Sequence, residues 1–439
     1  MRLIFPVLLL GAAVACGGGD RRGSTADTTA STAGGRSGVA LKLPPGFTAT
    51  VFAENLGAAR HVVVAPNGNV YVNTWRSPYD TTRRVPEGGH VVALRDTNAD
   101  GKADRISRFG SSLQSGSKGG TGIAIRSGWL YVEADSQIVR YGLPENDLVP
   151  PVSPEIVVTG LTTEGGHPMH PIAVDDRNVY VNMGSETNAC QEKDREPESS
   201  GRRPCRELLQ RGGIWQFLNS GRQRFTPAQR FATGIRNAGG LAIHPGSGAL
   251  YATQHGRDQL AQNWPNLYSQ KQGAELPAEE LLGVEQGGDY GWPYCYYDAI
   301  QKNLVLAPEY GGDGKKVGDC AQKKGPVAAF PAHWAPNALA FYSGSLFPAT
   351  YRDGAFIAFH GSWNRAPEPQ DGYNVVFQPM ANGRASGPYQ VFADGFAGQR
   401  KEPGLAAHRP AGVAVGPDGS LYISDDQGGT LWRVSYSKK

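Results

Sequence analysis

Val413-Ala414-Val415-Gly416-Pro417-Asp418-Gly419-Ser420-Leu421-Tyr422-Ile423 reads as an apolar triplet, a tight turn and an apolar-Tyr-apolar strand. Pro417-Asp418-Gly419 supplies the turn chemistry, and the runs on either side are β-prone. Five copies of this module precede it. They are Val62-Val63-Val64 with Val70-Tyr71-Val72, Ile123-Ala124-Ile125 with Leu130-Tyr131-Val132, and Ile172-Ala173-Val174 with Val179-Tyr180-Val181. Leu241-Ala242-Ile243 with Ala249-Leu250-Tyr251, and Leu339-Ala340-Phe341 with Ala355-Phe356-Ile357, complete the set. The mean step is about 70 residues, which suits a four-stranded blade with generous loops. The repeat therefore predicts an all-β protein, a six-bladed β-propeller with four-stranded blades and loop insertions. A β-sandwich would give no reason for six copies.

Working outward, the composition agrees: 59 Gly and 31 Pro in 439 residues suit many turns and few long helices. A net charge of +3 excludes a nucleic-acid coat and a polybasic membrane patch. The widest step lies between the fourth and fifth modules and predicts an insertion over Gln259 to Lys324, with a short helix at Pro277 to Leu282 that carries Glu279-Glu280 near its N-terminus.

The first residues read as an address. Met1-Arg2, an apolar run to Val14 and then Ala15-Cys16 make a charged n-region, a short h-region and a small-residue cleavage site. Ala13-Val14-Ala15-Cys16 resembles a bacterial lipobox, so residues 1–16 are expected to be a lipoprotein-type signal peptide with Cys16 lipidated; ordinary secretion is the alternative. Residues 17–40 have linker composition, leaving 41–439 for the propeller. The expected location is the periplasm, or the outer membrane through a lipid anchor, of a bacterium, with no other membrane contact. In such a compartment Cys190, Cys205, Cys295 and Cys320 form disulfides. Nearest-neighbour pairing closes loops of about 15 and 25 residues, and the other two connectivities stay open.

Aligning the modules on the last residue of each triplet tests for a site. Seven positions earlier stand Gly57, Lys118, His167, Arg236, Trp334 and His408; one position later come Ala58, Gly119, Pro168, Asn237, Ala335 and Arg409. Equivalent positions in a propeller surround its axis at one end. Lys118, His167, Arg236, Asn237, Trp334, His408 and Arg409 are thus expected to converge as a cationic ring with one histidine and one indole, suited to a flat polyanion. His170, three residues further in than His167, reads as structural.

Several segments together carry a family resemblance. Leu43-Pro44-Pro45-Gly46-Phe47, Gly234-Ile235-Arg236-Asn237, Gly287-Gly288-Asp289-Tyr290-Gly291-Trp292-Pro293, His360-Gly361-Ser362-Trp363-Asn364-Arg365 and Arg409-Pro410 resemble the glucose/sorbosone dehydrogenases, six-bladed propellers dependent on pyrroloquinoline quinone (PQQ). The resemblance covers about residues 42 to 437 and implies oxidation of an aldose or related sugar aldehyde, with PQQ and calcium as cofactors and an external quinone or cytochrome as electron acceptor. By the same resemblance His167 is the catalytic base and Arg236, with Asn237, holds and polarises the quinone. Arg409 pairs with a cofactor carboxylate; Lys118, His333, Trp334 and Arg365 add to the cofactor site. Backbone carbonyls around Gln254-His255-Gly256 bind calcium beside PQQ. Soluble glucose dehydrogenases of that family carry a lysine at the place of Ser362 and a glutamine at that of Gly239.

A second calcium site is the expectation for Asp96, Asn98, Asp100 and Asp104, which alternate as in a calcium loop around Gly101; an acidic hairpin turn is the alternative. Two rival functions stay open. One is a calcium-dependent lactonase on a similar scaffold, and the other a non-catalytic propeller that binds glycans or protein.

Overall fold

In the computed structural model, residues 39–76, 88–111 and 117–438 are described. Cys16, the expected signal peptide and most of the expected linker lie outside them. Six antiparallel sheets follow one another along the chain, each beginning with a triplet strand. Blade 1 comprises Ala59–Val64, Val70–Thr74, Val91–Arg95 and Arg105–Phe109. Blade 2 begins at Ile123–Arg126, blade 3 at Ile172–Val174, blade 4 at Leu241–Ile243, blade 5 at Pro336–Phe341 and blade 6 at Pro410–Val415. These six first strands neighbour one another in a closed ring, with the sixth against the first, so they line the axis.

The repeat survives at the level of register. The middle triplet residues Val63, Ala124, Ala173, Ala242, Ala340 and Ala414 pair with Tyr71, Tyr131, Tyr180, Tyr251, Phe356 and Tyr422. Each aromatic ring is buried. Between blades 1 and 2, for example, Tyr71, Val91 and Ala93 meet Ile123, Leu130 and Val132. Burying side chains of this size contributes about 1.5–3 kcal/mol each. Ser127 and Gly128 join the first two strands of blade 2 with positive φ at both positions, the turn geometry whose twist matches a two-residue hairpin.

Two departures from regularity matter. Blade 2 gains a fifth strand, Gln223–Arg224, which pairs in parallel with Glu155–Thr159. Blade 6 takes its outermost strand from the other end of the chain: Phe47–Ala53 pairs with Leu431–Tyr436, with Phe47 opposite Tyr436. This closes the ring by hydrogen bonds.

The expected helix at Pro277 to Leu282 is instead a strand. Glu279–Val284 is the third strand of blade 4, paired with Leu250–Gln254 and Ala328–Phe330. Glu279 and Glu280 are buried inside the sheet, so their sequence resemblance to a charged helix start was misleading. Helices occur just before it, at Leu260–Asn263 and Gln270–Glu275, the latter capped by Ser269 with Gln272 answering in a capping box. Beyond the strand, a hairpin of Cys295–Asp298 with Asn303–Leu306 packs against these helices through Tyr268 and Tyr296. The disulfides are Cys190–Cys205 and Cys295–Cys320, the nearest-neighbour pairing.

The acidic turn 96–104 joins the third and fourth strands of blade 1. Strand direction places it at the end of the propeller where the triplets finish, away from the end where they enter. Asp96 accepts the backbone N–H groups of Asp100 and Gly101, and Asp104 accepts those of Thr97 and its hydroxyl. Among the described residues no three carboxylates of this turn come within ligand-sharing distance.

Candidate active site

At the entry end of the axis, His167 precedes the first strand of blade 3. Its Nδ1 lies 2.9 Å from the Ser185 carbonyl and 3.0 Å from Ser185 Oγ. Ser185 Oγ spends its own proton on the Thr187 carbonyl at 2.7 Å, so it faces His167 as an acceptor. Both partners are therefore acceptors, which fixes the proton on Nδ1 and leaves the lone pair on Nε2. Burial, reinforced by the charge of Arg236, holds the ring well below the usual histidine range. His167 is thus a neutral imidazole with one nitrogen ready to take a proton. His170 is buried with both ring nitrogens on backbone carbonyls, of Asn182 and Thr162, as its structural reading required.

Arg236 is fully engaged. It donates to the Asn188 carbonyl (3.0 Å), Asn188 Oδ1 (2.9 Å), the Gly256 carbonyl (3.0 Å) and Asp258 Oδ2 (3.0 Å). Asp258 also accepts from Arg195 (3.0 Å) and Asn364 (2.8 Å). Burial alone would raise this carboxyl, but Arg236 and Arg195 outweigh burial and hold it well below the usual range. Asn237 is buried beside Gly184 and His167, its side-chain oxygen accepting from Asn182. His255 Nε2 meets the Pro336 carbonyl at 3.1 Å.

A second ion pair was missed by the register comparison. Arg60 donates to Asp426 at 2.6 Å, and His360 Nε2 lies 2.8 Å from the other oxygen of the same carboxylate. Burial would raise the Asp426 carboxyl; His360 and Arg60 drive it far down instead. Arg409 donates to the carbonyls of His360 (2.9 Å) and Gly361 (2.8 Å) and lies over the Tyr373 ring. Arg60, Arg195, Arg236 and Arg409 thus gather around Asp258 and Asp426, with Asp194 also beside Arg195.

The other expected members of the ring do not converge. His408 turns into blade 6, with Nδ1 2.8 Å from Asp425 and its ring edge-on to Trp432. Trp334 is buried against Phe359 and Tyr389, so it offers no open face for stacking. His333 Nε2 donates to the Gly273 carbonyl at 2.8 Å, and Arg365 holds the carbonyls of Ala274 (2.7 Å) and Ala332 (3.1 Å), so both brace the walls. Lys118 is exposed on a neighbouring cleft of about 320 Å³ that also involves Trp75, Asp135, Glu164 and Pro168. Gly239 has a physical reason to lack a side chain: a Cβ there would lie 2.3 Å from the Pro336 carbonyl and 2.7 Å from His255 Nε2.

Burial pushes His61, His90 and His255 down to about 4 from an ordinary 6.5. The native state keeps these rings neutral while the unfolded chain takes up protons below pH 6.5, so stability is fully present above pH 6.5 and declines as pH falls towards 4. Each ring accounts for about 3 kcal/mol at most. Thermal unfolding of the apo-protein should show Tm falling steeply between pH 6.5 and 4.5; a flat Tm across that window would contradict the assignment.

A chain with this fold and site has relatives. An uncharacterised protein of Borreliella burgdorferi is 30% identical over 217 residues, 47% of this chain and 48% of its own. A pyrroloquinoline quinone-dependent sugar dehydrogenase of Hypocrea jecorina is 25% identical over 142 residues, 29% of this chain and 31% of its own. The matches thus span about half the length of these curated relatives or less. The calcium structure of the Trichoderma reesei protein of carbohydrate-active enzyme family AA12 superposes with a TM-score of 0.70 at 18% identity, over 90% of this chain and 97% of that one, and so shares the fold. The family model described as TrAA12-like matches residues 41–437, nearly the whole described chain, and the protein belongs to that family.

Proposed function

We propose that this chain oxidises a sugar at a CH–OH group with PQQ as the hydride acceptor. The observation that carries the proposal is His167: a buried neutral imidazole, its Nδ1–H pinned by Ser185, with Nε2 bare in the field of Arg236. PQQ is a planar tricarboxylate quinone, and guanidiniums gathered at one end of the axis suit such an anion. Bound there, it supplies the two-electron acceptor chemistry that no side chain provides. The name of the Hypocrea jecorina relative and the calcium of the Trichoderma reesei structure support PQQ and calcium.

The residues divide the work. His167 Nε2 takes the hydroxyl proton as the carbon–hydrogen bond gives up its hydride. Arg236, fixed by Asn188 and Asp258, would present a rigid positive charge to a bound quinone. Asn237 and His167 both lie against Gly184, where a Cβ would clash with each. Arg409, oriented by the His360 and Gly361 carbonyls, would pair with a carboxylate of the cofactor. For calcium at the Gln254 to Gly256 turn, the Gly256 carbonyl would exchange Arg236 for the ion. Substrates of the glucose or sorbosone type, an external quinone or cytochrome as acceptor, and export with a lipid anchor at Cys16 complete the reading. The two disulfides support an oxidising compartment.

Absorbance titration of the apo-protein with PQQ, with and without calcium, tests the proposal. Stoichiometric binding, followed by reduction of an artificial acceptor with at least one aldose, is the expected result. Absence of both PQQ binding and turnover across a broad sugar panel would overturn it. Lactone hydrolysis without PQQ would transfer the chain to the lactonase reading.

A further inference from the structure

The loop of residues 184–212 joins the second and third strands of blade 3 and carries Ser185, whose carbonyl and hydroxyl fix the Nδ1 proton of His167. The next residue, Glu186, accepts the Gly166 N–H on its carbonyl at 2.8 Å. The backbone that enters His167 is therefore tied to the same short segment as its ring.

Glu207 holds that segment from outside. Its Oε2 accepts the backbone N–H groups of Glu186 (2.8 Å) and Thr187 (3.1 Å), and its Oε1 accepts the Thr187 hydroxyl. Thr187 passes the hold on: its carbonyl accepts the Ser185 hydroxyl at 2.7 Å, and its Oγ1 accepts the Cys190 N–H at 2.9 Å. The Cys190–Cys205 disulfide brings the chain back to this point, and the Glu207 carboxylate lies within 4.8 Å of both sulfurs. Bonds to an ionised acceptor are roughly twice as strong as neutral ones, so three of them on two successive residues fix that backbone firmly. Asn188, which holds Arg236, has supports of its own: Asp194 accepts its N–H (2.9 Å), and Trp292 Nε1 donates to its carbonyl (3.0 Å). The base and the arginine thus have separate fastenings.

We propose that Glu207 is the positioning residue for His167, setting the direction of the imidazole through Glu186, Thr187 and Ser185 while Arg236 depends on the supports of Asn188. The effect on turnover rests on the dehydrogenase reading; the effect on the ring does not. Glu207 is half-buried, so replacing it leaves the blade core intact.

The test compares wild type, Glu207→Ala and Glu207→Gln. In holoenzymes reconstituted with PQQ and calcium, Glu207→Ala should lower kcat about 10- to 100-fold, the scale of a misplacement of about 1 Å, with sugar KM and the PQQ titration midpoint changed less than about threefold. Glu207→Gln keeps an oxygen for the two backbone N–H groups and should recover most of the loss. Nitrogen NMR of the histidine-labelled apo-proteins, with the His167 signals assigned by their absence from His167→Gln, reads the ring directly. Wild type should show the Nδ1–H tautomer and Glu207→Ala a mixture of both. An unaltered tautomer or an unchanged kcat in Glu207→Ala, a PQQ midpoint that moves as far as kcat, or a Glu207→Gln variant as impaired as Glu207→Ala would overturn the proposal while leaving the dehydrogenase reading intact. If wild type itself neither binds PQQ nor oxidises any sugar, the dehydrogenase reading fails, and the tautomer comparison in the apo-proteins still decides the role of Glu207.

Discussion

Replacing His167 by Gln should lower kcat by about 10²- to 10⁴-fold, the range that a positioned general base contributes, while the PQQ titration midpoint moves less than about threefold. The split follows from geometry. Gln can keep a hydrogen bond to the Ser185 carbonyl and roughly fill the volume, so the wall formed with Asn237 and Gly184 stays in place. What disappears is the nitrogen lone pair. Because burial and Arg236 keep the wild-type imidazole neutral well below its ordinary range, the acid limb of the wild-type activity profile should lie below pH 6.5 and should vanish in the variant's residual activity. Steady-state kinetics over pH 5 to 9 with a parallel PQQ titration measures both. A variant that retains activity within tenfold would remove His167 from the role of base.

The second large effect concerns stability. Asp258→Ala should cost about 3–5 kcal/mol, the penalty for stranding a buried partner, because Arg236 is left with its charge out of water and only neutral acceptors. Arg236 is 3% exposed, so water cannot replace the lost carboxylate. Asp258→Asn keeps one acceptor oxygen and should lose less. Urea or thermal unfolding of the apo-protein reads the difference, with Asp176→Ala as the control: the Arg126–Asp176 pair is 47% and 68% exposed, and its loss should stay within about 1 kcal/mol. Equal stability of Asp258→Ala and the control would mean that the carboxylate does not anchor Arg236.

Much of this was legible in the residues because the repeat is short-range. A triplet, a turn and a tyrosine are joined by local hairpin register, so the six modules found themselves in equivalent places and gave both the blades and His167, Arg236 and Arg409. His408 and Trp334 occupy the right rows but turn into their blades, since a row fixes where a backbone passes and leaves the side chain to local packing. Asp426 was missed for a different reason: only the strand entering each blade was compared. Arg60 was missed because it lies four places before the end of its triplet, outside the rows compared, and Asp258 because it lies in the loop beyond His255. The returning strand carries its own row. Four places after each module's aromatic stand Trp75, Asp135, Gly184, His255, His360 and Asp426, three of them direct members of the polar site. Glu279 and Glu280 were misread because a central strand need not alternate, and adjacent carboxylates beside a proline imitate a helix start.

The hydrogen-bonded seam between Phe47–Ala53 and Leu431–Tyr436 also sets an order of events. The first strand made is the last one paired, since its partner emerges roughly 380 residues later. At about 5–20 residues per second, that is roughly 20 to 80 seconds of synthesis with an open latch. For a chain exported as proposed above, the interval has a consequence for passage through a membrane: the leading segment reaches the export machinery while the ring that would lock it cannot yet exist, and the barrel-like circuit snaps shut only where its last blade arrives.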